Sequence, residues 1–355
     1  MSSSKEDDED SLETIQIGNV TLRLSTLAVY VVAAAIRIGI FLAFPNIISS
    51  LSDSVEISTP ISSYKRLLEG LFLYERGVSP YDGGVFHQAP LLLVIFQVLP
   101  PAAVFIGLDV LNAYNLGTVA RRLKLPTPRF QSLNETQIAA AYLFNPFSII
   151  SCLGCSTTLI TNAAILQAIA SASIGNVFGA MFALASATYL SLYPGLLLPP
   201  LILYLLQNRS ASKTIKNILP LVGMYGTIVA ILLLVSILLV GEPKDFLASC
   251  YGAQISVTDL TPNIGLWWYF FIEIFDPFRS FFVGVFWIHL IGYVGALTVR
   301  LPEQPLFVFI ALTGLIAVFK PYPSTSDVSL YLGVLPLYQH IMPRKSCHLP
   351  ISQPC

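Results

Sequence analysis

The sequence predicts an all-α, polytopic membrane protein with about ten transmembrane helices. Two observations carry the prediction. Hydrophobic residues make up 55% of the 355 residues and charged residues only 11%, with a mean hydropathy of +0.72; a soluble domain carries about 25% charge. The apolar residues also gather into runs near the roughly 20 residues a spanning helix needs. Backbone in hydrocarbon has no water to bond, so such runs close their hydrogen bonds internally as helices. The alternation of a membrane barrel is absent, and a net charge of −1 without a sizeable basic patch offers nothing to nucleic acid.

In chain order, residues 1–24 are polar and acidic ("KEDDED" at 5–10) and read as a disordered tail with no cleavable signal peptide. The membrane domain then covers 25–342. Its apolar runs lie near 25–44, 102–119, 138–154, 158–173, 176–192, 194–207, 218–240, 280–298, 305–320 and 327–341. Two more, 90–100 and 263–275, are too short to span and read as re-entrant or interfacial helices. Asn145-Pro146 and Tyr193-Pro194 mark kinks or span ends, where freed carbonyls need partners.

Three charges fall inside apolar stretches: Arg37, Asp109 and Glu273. An Arg or Asp at a helix centre costs about 2.5–3.5 kcal/mol on insertion scales, so each should face the bundle, a cavity or a partner. An Arg37–Asp109 pair would satisfy two of them. Cys152-x-x-Cys155 has redox or zinc spacing. It sits in an apolar run without a second pair or a nearby His, so it reads as two small packing residues, and no metal or cofactor is expected.

Sidedness follows from Lys and Arg. Arg121, Arg122, Lys124 and Arg129 cluster in one connector, and Arg209, Lys213 and Lys216 in another. With ten spans, Lys5, Arg23, Arg300, Arg344 and Lys345 fall on the same side, which places the N-terminus in the cytosol. The sequons at Asn134 and Asn208 lie in these basic connectors. Loops 45–89, 241–262 and 320–326 fall on the other side.

The first loop is the longest. "SYKRLLEGLFLYER" sets Tyr64, Leu67, Leu68, Leu71 and Phe72 on one face, an amphipathic helix for the membrane interface. Ser62 or Ser63 can cap it and Gly77 can end it. A turn follows at Ser79-Pro80-Tyr81-Asp82-Gly83-Gly84, and Pro90 can open the next helix. Tyr81, Asp82, His87 and Gln88 are the side-chain types that hydrogen-bond a sugar or a phosphate at a cavity mouth. Equally, the helix can pad the membrane surface and the turn merely link. The second candidate region is "CYGAQISVTDLTPNIGLWWYFFIEIF", 250–275. There Asp259 and Thr261 can cap a helix whose first turn holds Pro262, and Asn263 adds a polar group. Trp267, Trp268 and Tyr269 form an aromatic belt that can either stack on sugar rings or simply anchor the helix.

These motifs carry a resemblance. A first span, a long loop with an amphipathic helix and "GVSPYDGGVFHQAPLL" look like the GT-C membrane glycosyltransferases, among them the first GPI mannosyltransferase, PIG-M. Those enzymes carry an acidic Asp-x-Asp-like motif upstream of the turn; here that place holds Ile61-Ser62-Ser63, with no carboxylate. The closer match is to the PIG-U family of GPI transamidase subunits. It runs from about 27 to 345 through "LLEGLFLYERGVSPYDGGVFHQAPLL", "LFNPFSIISC", "YLSLYPGLLLPPLILYLLQ", "TPNIGLWWYFF" and "FKPYPSTSDVSLYLGVLPLY".

The resemblance implies a multi-pass protein of the endoplasmic reticulum membrane with a GT-C-like arrangement, the amphipathic helix lying in the first lumenal loop. It implies a complex that joins a protein carboxyl to the ethanolamine amine of GPI. That chemistry needs a thiolate and a base, and no lumenal Cys–His set is visible here. The chain is therefore expected to be non-catalytic, with a cysteine-protease-like subunit as partner. It would bind GPI glycolipid and membrane lipids through the candidate residues above. The family usually continues with further spans, so 343–355 reads as an atypical tail, truncated or altered. Two alternatives stay open. One is a dolichol-phosphate-mannose-dependent mannosyltransferase with Asp53 or Glu56 as base. The other is a transporter whose broken helices are 90–100 and 263–275.

Overall fold

The computed structural model describes residues 14–17, 20–123, 133–257 and 260–341. Among these, regular structure after Arg23 is entirely helical. Before it, β1 (Thr14–Ile17) pairs antiparallel with β2 (Val20–Arg23), Ile17 opposite Val20. The rest of the segment expected to be a disordered tail, residues 1–13, 18 and 19, lies outside the described residues. Thr-Ile-Gln-Ile and Val-Thr-Leu-Arg alternate with the period of a strand.

The first helix, α1 (Leu24–Ala43), leads into the first loop with α2 (Pro45–Asp53), α3 (Tyr64–Glu75) and α4 (Leu91–Val98). Ser63 caps α3, its side chain accepting from the Arg66 N–H at 3.4 Å. Gly77 ends it at φ +72°, a conformation that suits only a residue without Cβ. The buried side of α3 is Leu67 and Gly70, with Gly70 against the Phe86 ring; Leu68 and Phe72, expected on that side, point outward.

The bundle continues with α5 (Pro101–Arg122), α6 (Glu135–Leu143), α7 (Pro146–Leu153), α8 (Thr158–Ser173), α9 (Val177–Leu190) and α10 (Leu198–Asn208), the last preceded by a 3-10 turn at Tyr193–Leu197. The run 138–154 is not one straight span: α6 and α7 meet at 55°. Pro146 cannot continue α6, and the Asn145 side chain caps α7 by accepting from the Phe147 N–H at 3.0 Å. Next come α11 (Ile215–Val240) and the short α12 (Pro243–Leu247) and α13 (Ala253–Ser256), joined by a π turn at Ala248–Gly252. Then follow α14 (Leu266–Phe271), α15 (Asp276–Arg300), α16 (Pro305–Phe319) and α17 (Thr325–Val334), which passes into a 3-10 turn at Leu335–Ile341. Glu273, expected inside an apolar segment, is exposed in the turn between α14 and α15.

By length and composition, four helices suit a bilayer crossing: α1, α5, α11 and α15. The bent α6–α7 pair makes a fifth. Helix α8 lies at the centre, packed by α5, α9, α10 and α17. Its alanines at 163, 168, 170 and 172 are buried, and small residues let backbones approach closely without a hydrophobic drive between helices. Only 11% of the apolar windows of α11 and α15 is buried, so these two form the outer wall.

Charge pairing inside the bundle follows the sequence. Arg37 on α1 and Asp109 on α5, both fully buried, form an ion pair. Arg37 also donates to the Ala33 carbonyl at 3.1 Å and the Leu143 carbonyl at 2.8 Å, the latter at the end of α6. Cys152 and Cys155 are buried free thiols packed among Phe105, Leu159 and their neighbours.

Contacts sort the connections into two ends. At one end the first loop meets 154–157, 249–254 and 320–326: the Thr157 N–H donates to the Ser62 carbonyl, the Thr325 N–H to the Glu56 carbonyl, and His87 Nδ1 lies 3.0 Å from the Ser249 carbonyl. At the other, basic end, Lys213 pairs with Glu303, Arg121 with Glu135, and Asn208 donates to the Ala172 carbonyl. At the first-loop end α15 continues past its contact with the inner bundle. Trp287 of α15 stacks on Tyr193 at 5.3 Å, level with the start of the α10 segment. From there α15 runs back to Asp276 over about 16 Å at 1.5 Å per residue.

Candidate functional site: a polar cavity at the first-loop end

The turn from α16 to α17 builds one side of the site. Lys320 caps the end of α16, its N–H donating to the Ile316 carbonyl. Pro321 and Pro323 forbid further helix. Ser324 and Asp327 then start α17 as a capping box: the Ser324 N–H and Oγ–H donate to Asp327 Oδ2 at 2.8 and 2.9 Å. Lys320 Nζ meets the same oxygen at 2.5 Å, and both side chains are nearly buried. The turn is held from three sides. Asn162 of α8 donates to the Ser326 carbonyl at 2.7 Å, the Thr325 N–H donates to the Glu56 carbonyl at 2.8 Å, and Trp267 Nε1–H donates to the Phe319 carbonyl at 2.6 Å.

Below this turn lies an open-mouthed pocket with about 50 Å³ of free space inside it. Leu92, Ile165, Leu197, Ile316 and Leu330 give it apolar walls; Gln88, Asn162, Gln254, Lys320 and Asp327 give it hydrogen-bonding and charged groups. An apolar pocket with a few convergent polar groups is the usual form of a small-molecule site. Two further cavities follow along the first loop, the second sharing Ile61 with the first and the third sharing Pro60 and Arg66 with the second. One of about 210 Å³ is bounded by Ile61, Arg66, His87 and Tyr322, and one of about 290 Å³ by Ser63, Arg66, Thr261 and Asn263.

Of the first-loop residues singled out by sequence, Gln88 lines the main cavity. Its Nε2–H donates to the Ser63 carbonyl at 2.7 Å, while its buried Oε1 has no partner. Tyr81 is a buried prop rather than a surface ligand: its hydroxyl donates to the Gln88 carbonyl at 2.9 Å, and the Cys250 thiol donates to the same oxygen at 3.1 Å. Burial raises the Tyr81 hydroxyl far above its ordinary value and pushes the Cys250 thiol up to about 12, so both stay neutral. His87 lines the second cavity. Asp82 is exposed on the outer turn and lines none of the three.

The second region differs more from expectation. Asp259 lies outside the described residues. The helix does not start at Pro262 but at Leu266, because Asn263 folds back on its own segment: its Oδ1 accepts from the Gly265 N–H at 2.7 Å. Asn263 lines the third cavity. Trp267 is fully buried against Phe286 and Phe271, so it is no member of a surface belt; only Tyr269 is well exposed, with Trp268 half-buried. None of these three aromatics touches the cavities.

Sequence reasoning missed Asn162, Gln254, Lys320 and Asp327. The available signal was polar residues inside an apolar run, Thr157, Thr158, Thr161 and Asn162, and a Lys and an Asp seven residues apart in "FKPYPSTSDVSL". Asp53, one base considered for a transferase, is paired with Lys65, and Glu56 contributes its backbone to the α17 clamp; neither lines the main cavity.

Comparison with known proteins gives the family. The family model described as GPI transamidase subunit PIG-U matches residues 31–352, reaching into the 343–355 segment. The chain is 38% identical over 344 residues to the GPI-anchor transamidase component PIGU of Mus musculus and 37% identical over 345 to that of Homo sapiens. Each alignment covers 88% of this chain and 78% of the relative. It is 34% identical over 310 residues to the GPI transamidase component GAB1 of Saccharomyces cerevisiae, covering 86% of this chain and 76% of that one. The chain belongs to the PIG-U family of GPI transamidase subunits.

Proposed function

We propose that this chain is the glycolipid-holding, non-catalytic subunit of a GPI transamidase in the endoplasmic reticulum membrane. It crosses the membrane about ten times with its N-terminus in the cytosol and its first-loop end in the lumen. It works beside a cysteine-protease-like subunit that supplies the nucleophile. The observation that carries the reading is the open-mouthed pocket below the 320–327 turn, which joins apolar walls to a polar and charged roof where the first loop meets that turn. A glycolipid has that same division between acyl chains and headgroup. The thiol of Cys250 supports the non-catalytic role: it is buried, bonded to a backbone carbonyl and held protonated, the opposite of what a nucleophile needs.

The test is photocrosslinking in microsomes with a GPI analogue carrying a diazirine in its headgroup-proximal chain. Crosslinks are expected on segments 88–92, 161–165 and 313–330. Ile165→Trp, which fills the cavity, should abolish them and stop GPI attachment to a reporter protein while the complex still assembles. Crosslinks confined to other subunits would refute the reading. Orientation has its own check: Asn134 and Asn208 sit at the basic end, and a glycosidase-sensitive sugar on either would reverse the assigned topology.

A further inference from the structure

We propose that Lys320 and Asp327 form a subsite for a zwitterionic phosphodiester headgroup, one with a primary ammonium a few bonds from its phosphate. The inference rests on the reading of the main cavity as a glycolipid site and specifies which part of the ligand meets its charged roof.

The starting point is what the pair leaves unused. A lysine ammonium has three N–H donors, and the Lys320 ammonium meets one protein partner, Asp327 Oδ2. That oxygen already accepts both the N–H and the hydroxyl of Ser324. Among the described residues, Asp327 Oδ1 and two ammonium hydrogens have no protein partner, and both residues line the cavity. The pair is not needed to start α17, because the capping box is complete without Lys320. Burying two charges costs solvation that their mutual attraction seldom exceeds, so the pair is poorly explained as a brace. A charge pair on the wall of an otherwise apolar pocket is a candidate ligand contact.

Charge complementarity selects the ligand. A simple anion would meet Lys320 but be repelled by Asp327, and a simple cation the reverse. An uncharged sugar would need neither charge. A phosphodiester with a neighbouring ammonium places a negative oxygen on Lys320 and N–H donors on Asp327 Oδ1. Gln88, whose buried Oε1 lacks a donor, offers a further acceptor on the same cavity wall. The subsite is rigid before binding, since Asn162, Glu56 and Trp267 fix the turn that carries both charges.

Two sources carry this headgroup: the ethanolamine phosphate of GPI and the membrane lipid phosphatidylethanolamine. The experiment is native mass spectrometry with lipid identification on the intact, detergent-purified complex containing this chain, with added phosphatidylethanolamine or phosphatidylglycerol as competing arms. Lys320→Gln and Asp327→Asn should each lower bound ethanolamine phosphate by about tenfold, the loss expected when a charge-assisted bond goes. Asn at 327 keeps the cap acceptor, and Lys320→Arg should retain binding. Displacement by phosphatidylethanolamine alone would assign the site to the membrane lipid; no displacement, with GPI retained, would assign it to GPI. Either result keeps the subsite. Bound GPI unchanged in both charge variants, yet lost in Ile165→Trp, would overturn the subsite and leave the glycolipid reading standing. No glycolipid in the wild-type complex would sink the glycolipid reading itself.

Discussion

The buried Arg37–Asp109 pair permits a prediction with a sign that depends on which partner is removed. Both side chains are fully buried, and Arg37 also bonds the carbonyls of Ala33 and Leu143. Asp109→Leu leaves a guanidinium in the bundle with carbonyls alone for company, which costs about 3–5 kcal/mol. Arg37→Met leaves a buried carboxylate with the Tyr142 hydroxyl but no cation beside it, and frees the Leu143 carbonyl at the α6–α7 break. Its cost is at least as large unless the carboxylate takes up a proton. The double variant Arg37→Met/Asp109→Leu removes both charges and their desolvation together. What remains is the unsatisfied Leu143 carbonyl, about 1–3 kcal/mol. The double variant should therefore be more stable than either single one, with a coupling of about 2 kcal/mol or more. An SDS titration of the detergent-solubilised protein, followed by tryptophan fluorescence, measures all four proteins. A double variant destabilised by the sum of the two single costs would refute the account, because it would mean that the pair has no mutual dependence.

Three further outcomes follow from the packing. With its thiol pushed up to about 12, Cys250 has under about one part in 10⁴ thiolate at pH 7.5. Site-resolved alkylation should leave it unlabelled in the folded protein and label it only as pH rises towards that value or after denaturation; fast labelling at pH 7.5 would contradict its burial. A Cβ at Gly333 would lie 2.6 Å from the Tyr142 ring, whereas one at Gly284 meets open space. Gly333→Ala should cost about 1–3 kcal/mol, and Gly284→Ala should be neutral or stabilising by up to about 1 kcal/mol, read as shifts of the same titration midpoint. Trp267→Phe should cost about 1–3 kcal/mol through the lost bond to the Phe319 carbonyl, and Tyr269→Ala less than about 0.5; equal effects at the two positions would restore the aromatic belt.

How far the sequence could be read depended on the kind of physics involved. Helices were legible because hydrocarbon forces apolar runs to satisfy their own backbone, and the Asn145-Pro146 and Tyr193-Pro194 breaks were legible because proline has no N–H to give. The Arg37–Asp109 pair was legible because two isolated charges in apolar runs have few other places to go. Side-chain direction was another matter. In "LWWYFF" three successive large aromatics look equivalent, yet a helical turn of 100° per residue sends Trp267 inward and Tyr269 outward. Asn162 and Asp327 are 165 residues apart, and only the packing of α8 against α17 brings them to one cavity. No local pattern carries that contact.

The place of the two cavity charges is set by the end of α16. Phe319, its last residue, stacks on His289 of α15, and the turn that follows carries Lys320 and Asp327 at the first-loop end of the bundle. Trp267 takes its meaning from the same geometry. It stands on the short α14 and donates across to the Phe319 carbonyl, one residue before Lys320, while Gly265 lies so close to Pro323 that a Cβ there would meet the ring at 2.6 Å. The segment "NIGLWWYFF" is accordingly a strut for the 319–327 turn: its aromatics touch no cavity, yet they set where the cavity's two charges stand.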